Sequence, residues 1–378
     1  MGVYIGLLIG IFLIRIFFDS SLWGENRSRK YFLLFSFVSI FLIYALRSYT
    51  VGRDVPGYRR IYLDVLNHPF SDFDYVYFEK GYQLLSKICG FSGVSWQVFL
   101  SIVSALILIP IYVFIKKYSK NVFLSTLIFV CYMYFEFNLT AIRQAIAASI
   151  CLIAYMVLLE TKHKKYFAYI EYVLIVTIAV YFHKSAFAAY FLLPILLIKS
   201  IKGVSIFVTL ISISCIAVRS EILVIIKNLF MKDSLQTDAG LNLGGNLIFL
   251  IMLAVLFVVV EINRENAAKR DYPFNNNQNM MNEVGMKNNF DYQNIFARSF
   301  ILSIFFVVLF GMATSARSYM ILNQVIIISL PNALENLETK SKQFAIVFCV
   351  FFFILFFCTN TLIPNSFDIL PYKFFWNN

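Results

Sequence analysis

Apolar residues follow one another in twelve long runs, each bounded by charges, Gly, Pro or Asn, and a chain patterned this way must place most of its length in lipid. The runs cover approximately 2–18, 31–46, 97–115, 121–136, 139–159, 166–182, 185–198, 203–218, 246–261, 298–313, 318–331 and 343–360. Hydrophobic residues make up 60% of the chain and charged residues 14%, whereas a soluble domain is about a quarter charged. The sequence therefore predicts an all-α polytopic integral membrane protein of about twelve transmembrane helices, in a range of ten to thirteen, as one transmembrane domain over 1–378. Several runs are shorter than the ~20 residues a full span prefers, so tilted helices, merged pairs and half-membrane segments belong to the expectation. The first run lacks a basic start and a small-residue cleavage site and is read as a helix rather than a signal peptide.

The net charge of +11 comes with no basic domain, base-stacking module or zinc-type spacing, which argues against nucleic acid as a partner. Its distribution is a topological signal. Arg27, Arg29 and Lys30; Lys116, Lys117 and Lys120; Lys162, Lys164 and Lys165; Lys199 and Lys202; Arg264, Lys269, Arg270 and Lys287; and Lys340 and Lys342 fall in alternate loops. Those loops are expected in the cytoplasm, with both termini outside. Six cysteines are scattered mostly inside apolar runs, without a CxxC or a metal-ligand pattern, and read as core thiols.

Outside, the longest loop is 47–95. Gly52, Pro56 and Gly57 mark turns there, and Phe73, Val76, Tyr77, Leu84, Leu85 and Ile88 supply an apolar face for a helix lying on the bilayer. Within it, Arg59, Arg60, Lys80 and Lys87 read as solvated or in contact with headgroups, and His68 as exposed. A second external loop, 219–245, holds another apolar segment, and the aromatic C-terminal tail suggests a membrane-interface belt. The Asn-rich stretch 262–296 is expected to be a disordered cytoplasmic loop.

Four arginines, Arg47, Arg53, Arg143 and Arg317, map to the outer mouths of the expected helices. Placing a guanidinium near hydrocarbon costs about 2.5–3.5 kcal/mol even on the mildest scales, so such groups usually face a site. Helices that start outside present unpaired N–H groups and a partial positive charge there. Arg143 is expected in the first turns of one, capped by Asn138 or Thr140; His183, Lys184 and Ser185 open a second; Arg317 begins a third. Guanidinium forks and helix N-termini both suit phosphate oxygens, so the outer face is expected to grip an anion.

The blocks R-S-Y-T-V-G-R-D from Arg47, followed by Tyr58, F-E-K-G-Y, N-L-T-A-I-R-Q-A-I-A, F-H-K-S-A-F ending at Pro194, R-S-Y with its following P-N, and a terminal L-P-Y occur in an order that resembles the EpsG-like family of exopolysaccharide and O-antigen polymerases. The resemblance runs from Arg47 to Tyr372. It departs at Arg53, where the family usually carries Thr. The resemblance implies a fold like that of GT-C-like polysaccharide polymerases and ligases. It implies a bacterial inner-membrane glycosyltransferase whose active site faces the periplasm. Such an enzyme joins undecaprenyl-diphosphate-linked oligosaccharide repeats, moving the growing chain onto an incoming unit and releasing the carrier diphosphate. Donor, acceptor and membrane lipids are the implied partners, with a chain-length regulator protein as a further one.

The residues suit that chemistry. Arg47, Arg53, Arg143 and Arg317 would stabilise the leaving diphosphate without a metal or cofactor, and no DxD pair suggests a nucleotide-sugar site. A base for the acceptor hydroxyl is sought in Asp54 or His183, which remain alternatives, while Glu79 positions the acceptor or pairs with an arginine. Tyr58, Gln144, Lys184 and Tyr319 lie within or beside the same blocks and are assigned supporting places. Two rivals share the donor chemistry: an O-antigen ligase, and a lipid-linked oligosaccharide flippase, which should instead place its cations at mid-membrane depth.

Overall fold

The computed structural model describes residues 1–160, 165–198, 201–217, 221 and 286–377. The second external loop, the apolar run 246–261 and most of 262–296 lie outside the described residues. Among the described residues the structure is helical, and its one β-bridge joins Arg47 to Phe374.

In chain order the helices are α1 (Gly2–Phe17), α2 (Ser20–Trp23), α3 (Glu25–Ala45), α4 (Val55–Asp64), α5 (Lys80–Phe91), α6 (Trp96–Tyr118), α7 (Val122–Cys131), α8 (Tyr134–Thr140), α9 (Ile142–Leu159), α10 (Lys165–Phe182), α11 (Leu192–Leu197) and α12 (Ile201–Ala217), followed by α13 (Met286–Asn323), α14 (Ile326–Glu335) and α15 (Thr339–Phe356). Four described helices are long and apolar enough to cross a membrane, α3, α6, α9 and α15 with its π-helical extension to Leu362, and the bent pair α7–α8 would make a fifth. Local chemistry explains the ends. Ser95 caps α6 by accepting from the Val98 N–H, and Lys116 and Lys117 lie in its last turn, where cations suit the carboxyl end of the helix dipole. Asn121 caps α7 through the Leu124 N–H at 3.0 Å.

Two expected boundaries moved. The runs 298–313 and 318–331 were separated at Arg317, yet α13 passes unbroken through that residue to Asn323. A charge does not by itself end a helix, and no proline stands in this stretch. Arg317 is thus exposed inside a helix and does not begin one. The same helix begins at Met286, within the stretch expected to be disordered. Conversely, the run 121–136 bends by 52° between α7 and α8, where Met133 takes a left-handed φ of 31°.

The chain divides into two compact units. The first comprises Met1–Ile153, Thr177–His183 and Thr339–Asn378. In it α3 packs on α6, α1 and α7, and α15 packs on α7. Ladders of rings seat the segment 47–95 on the start of α6: Tyr62 stacks on Phe99 at 4.2 Å, and Tyr82 meets Phe99 at 6.1 Å. The expected surface helix is real only from Lys80. It buries Gln83, Ser86 and Lys87 and exposes Leu84, Ile88 and Phe91. Lys87 is therefore a core residue, correcting the solvated reading: it donates to the Pro69 carbonyl and lies beneath Tyr75, 5.0 Å from the ring centroid. His68 stacks on the same Tyr75 ring at 4.4 Å.

The tail is no loose belt. Backbone bonds from Ser48 to Lys373, Gly52 to Asp368, Arg53 to Phe367 and Phe375 to Leu46 dock it along the turn that follows α3. The turn needs Gly52, whose φ is +104° and whose Cβ would sit 2.9 Å from the Leu139 carbonyl oxygen.

The second unit comprises Ala154–Val176 and Lys184–Glu338. There α13 packs against α11, α12 and the 3-10 segment Lys184–Phe191. Buried hydroxyls brace it, with Tyr155 bonded to Ser299 at 2.5 Å and Ser299 to the Leu322 carbonyl at 2.7 Å. Tyr319 is fully buried and accepts from Asn323. The six cysteines are free thiols.

Candidate functional site

The bend and the break that follows it create the site in the first unit. Residues 134–140 form α8, Ala141 interrupts the helix, and α9 starts at Ile142. Irregular backbone at membrane depth is tolerated where protein covers it, and here Tyr132, Tyr134, Phe135, Leu139 and Ile142 are all buried. Three partners hold the segment: the Tyr44 hydroxyl on the Phe135 carbonyl at 2.7 Å, the Arg47 guanidinium on the Leu139 carbonyl at 3.1 Å, and the Thr140 hydroxyl on the Phe367 carbonyl at 3.1 Å. Asn138 and Thr140 thus belong to α8 and do not cap α9.

Arg143 lies in the first turn of α9, as expected from the sequence, and its surroundings set it apart. One terminal nitrogen makes a direct ion pair with Glu79, and both side chains are largely buried, at 15% and 12% exposure. The guanidinium lies over the Phe78 ring, 3.8 Å from its centroid, and 5.7 Å from that of Tyr58. The Tyr58 hydroxyl also bonds to it, and burial pushes the Tyr58 phenol up against the opposing pull of that cation. Phe78, Tyr58 and Tyr82 form a mutual ring cluster with centroids 5.4–5.8 Å apart. The Arg143 Nε is buried without a hydrogen-bond partner among the described residues. The guanidinium is thus pressed flat on an aromatic shelf, with a carboxylate at one edge.

Glu79 occupies the N-cap position of α5 but makes no side-chain cap bond; its carboxylate goes to Arg143 instead. The F-E-K-G-Y block also explains its glycine. A Cβ on Gly81 would sit 2.7 Å from the Tyr181 carbonyl oxygen, so the start of α5 lies directly against the end of α10. His183, buried, follows two residues later. Gly81→Ala is expected to force these backbones apart, lowering stability by about 1–3 kcal/mol and displacing Glu79 from Arg143. Thermal unfolding of the purified protein, read beside the chain length of its polymer, checks both effects.

The other expected residues are distributed differently. Arg47 is 1% exposed, and its guanidinium is bonded to the Tyr44 and Leu139 carbonyls. Burial lowers it to about 10, which leaves it cationic at neutral pH. In this conformation it staples α3 to α8, and its Nε is buried without a hydrogen-bond partner among the described residues. Arg53 is exposed and pairs with Asp368 at 3.0 Å. Asp54 is exposed at the mouth of α4, one turn before Tyr58. Gln144 is buried beside Arg143 in sequence. Arg317, Tyr319 and Lys184 belong to the second unit. One acidic residue escaped the sequence reading: Glu136, 3% exposed in α8. Its signal was a carboxylate inside an apolar run.

Residues 30–374 match the sequence profile of the EpsG family. The chain belongs to the EpsG family. That family comprises exopolysaccharide and O-antigen polymerase-like proteins, which gives this membrane-integral chain a polysaccharide-polymerase type of role. Among curated proteins and among solved structures, none matches it. The EpsG match spans the blocks that build the Arg143 site: Tyr58, the segment around Glu79 and Gly81, and the start of α9.

Proposed function

We propose that the chain is a glycosyltransferase of the bacterial inner membrane that joins undecaprenyl-diphosphate-linked oligosaccharide repeats at the periplasmic face. The observation that carries this reading is the Arg143 guanidinium at the start of α9, held on Phe78 and Tyr58 within an EpsG-family chain. Cleaving a sugar–diphosphate bond leaves negative charge on the departing oxygen, and a cation fixed beforehand stabilises that charge without reorganising. A guanidinium matches phosphate oxygens with two parallel N–H donors, and the unpaired N–H groups of the first helical turn add partial positive charge. The base for the acceptor hydroxyl is drawn from Asp54, His183 and Glu79. Arg53 and Lys80, both exposed, would meet the outer part of the substrate or lipid headgroups.

Purified protein given a defined undecaprenyl-diphosphate-linked repeat is expected to yield a ladder of longer oligosaccharides and free carrier diphosphate, with chelator present throughout. Absence of any ladder, with transfer to a lipid A core acceptor in its place, would move the assignment to the ligase.

A further inference from the structure

We propose that Glu79 is the proton acceptor of the transfer reaction and that the donor diphosphate arms it by displacing it from Arg143. This rests on the reading of Arg143 as the diphosphate site. The Glu79 oxygen that pairs with Arg143 is occupied by that N–H donor and opens to an acceptor hydroxyl only once the pair parts. The same guanidinium is the group that the diphosphate must engage. With one face covered by Phe78, Arg143 offers its edges, and Glu79 occupies one of them. An arriving diphosphate competes for the terminal nitrogen on which Glu79 sits.

The surroundings let the partners change without the site collapsing. Phe78 and the Tyr58 hydroxyl hold the guanidinium independently of Glu79. The backbone at Glu79 is fixed through the Gly81–Tyr181 approach, so only the side chain has to turn. Its carboxylate is not committed to capping α5. Asp54, by contrast, is exposed at the mouth of α4.

The step balances. The acceptor hydroxyl oxygen bonds to the anomeric carbon of the donor, and the bond from that carbon to the diphosphate oxygen breaks with its electron pair moving to the diphosphate. The hydroxyl proton passes to the displaced Glu79 carboxylate. When the carrier diphosphate leaves, Glu79 loses the proton to water and re-forms its pair with Arg143. A base armed only by bound donor has a further consequence: acceptor alone meets a carboxylate still paired with Arg143.

Competition and mere positioning predict opposite signs for one substitution. With the full-length protein and inorganic pyrophosphate as probe, Glu79→Gln is expected to tighten pyrophosphate binding at least tenfold while lowering transfer of the lipid-linked repeat at least 100-fold. If Glu79 only holds Arg143 in place, binding and transfer fall together, which overturns the proposal; so does transfer within tenfold of the wild type. Should Glu79→Gln lower the yield of folded protein, Glu79→Asp, which withdraws the charge by one methylene, carries the same expectation of tighter binding and slower transfer. Pyrophosphate that binds neither protein also overturns it. Arg143→Ala separates the two readings, since pyrophosphate binding that survives this change removes the diphosphate from Arg143 whatever Glu79 does.

Discussion

Cells carrying Arg143→Ala are expected to make single-unit products in place of long polymer, a loss of at least about 100-fold in extension, in line with deletion of one preorganised charge stabiliser. The substitution also strands Glu79, a carboxylate with 12% exposure that loses its ion-pair partner. Breaking a buried pair from one side commonly costs about 3–5 kcal/mol, so a fall in folded protein could imitate a fall in activity. The double change Arg143→Ala with Glu79→Gln removes the stranded charge, and it is expected to recover folded protein but not polymer. Arg143→Lys is expected to fall between, because an ammonium keeps the charge but loses the planar fork and its fit on the Phe78 ring. Polymer chain length is compared by gel at equal levels of folded protein. Wild-type chains from Arg143→Ala would remove Arg143 from the site.

Much of the scaffold was legible because apolar runs act locally. The runs 97–115 and 121–136 located α6 and the bent pair α7–α8, and Arg143 lies in the first turn of α9 as read, although the Asn138 and Thr140 read as its cap belong to α8. What escaped was non-local. No glycine or proline marks the bend at Tyr132–Met133; the segment after it is held by Tyr44, Arg47 and the tail, through bonds spanning 91, 92 and 227 residues of sequence. For the same reason the contacts of Arg47 with the Tyr44 and Leu139 carbonyls were not legible. The sequence shows a cation beyond a helix end, whereas its use depends on which carbonyls α8 leaves unsatisfied. Arg317 misled in the opposite way, since a charge amid apolar residues resembles a boundary when the helix simply continues past it. Lys87 is the third case: on an apolar surface helix a lysine reads as solvated, yet here the rings of Phe73 and Tyr75 close over it.

Arg47 provides the second large effect, and it is one of stability. Its side chain is fully buried, donates to the carbonyls of Tyr44 and Leu139, and lies against the Tyr44 ring. Arg47→Ala leaves a cavity and two carbonyls without that donor. Hydrogen bonds to charged groups are worth about 1.5–3 kcal/mol, so a loss on the order of 3 kcal/mol is expected, read as a lower unfolding temperature and less folded protein in detergent. Arg47→Lys should recover part of it, since an ammonium reaches one carbonyl but not both at the same geometry. The Leu139 carbonyl is also the atom against which Gly52 is pressed, so the tail and the turn after α3 loosen together with α8. The sequence reading made Arg47 an anion ligand, and the two roles separate in one measurement. A staple predicts that Arg47→Ala protein still folded at low temperature binds inorganic pyrophosphate as the wild type does, while its stability falls. A ligand predicts the reverse, with binding lost and unfolding temperature unchanged, and that outcome would require the guanidinium to leave both carbonyls when substrate arrives.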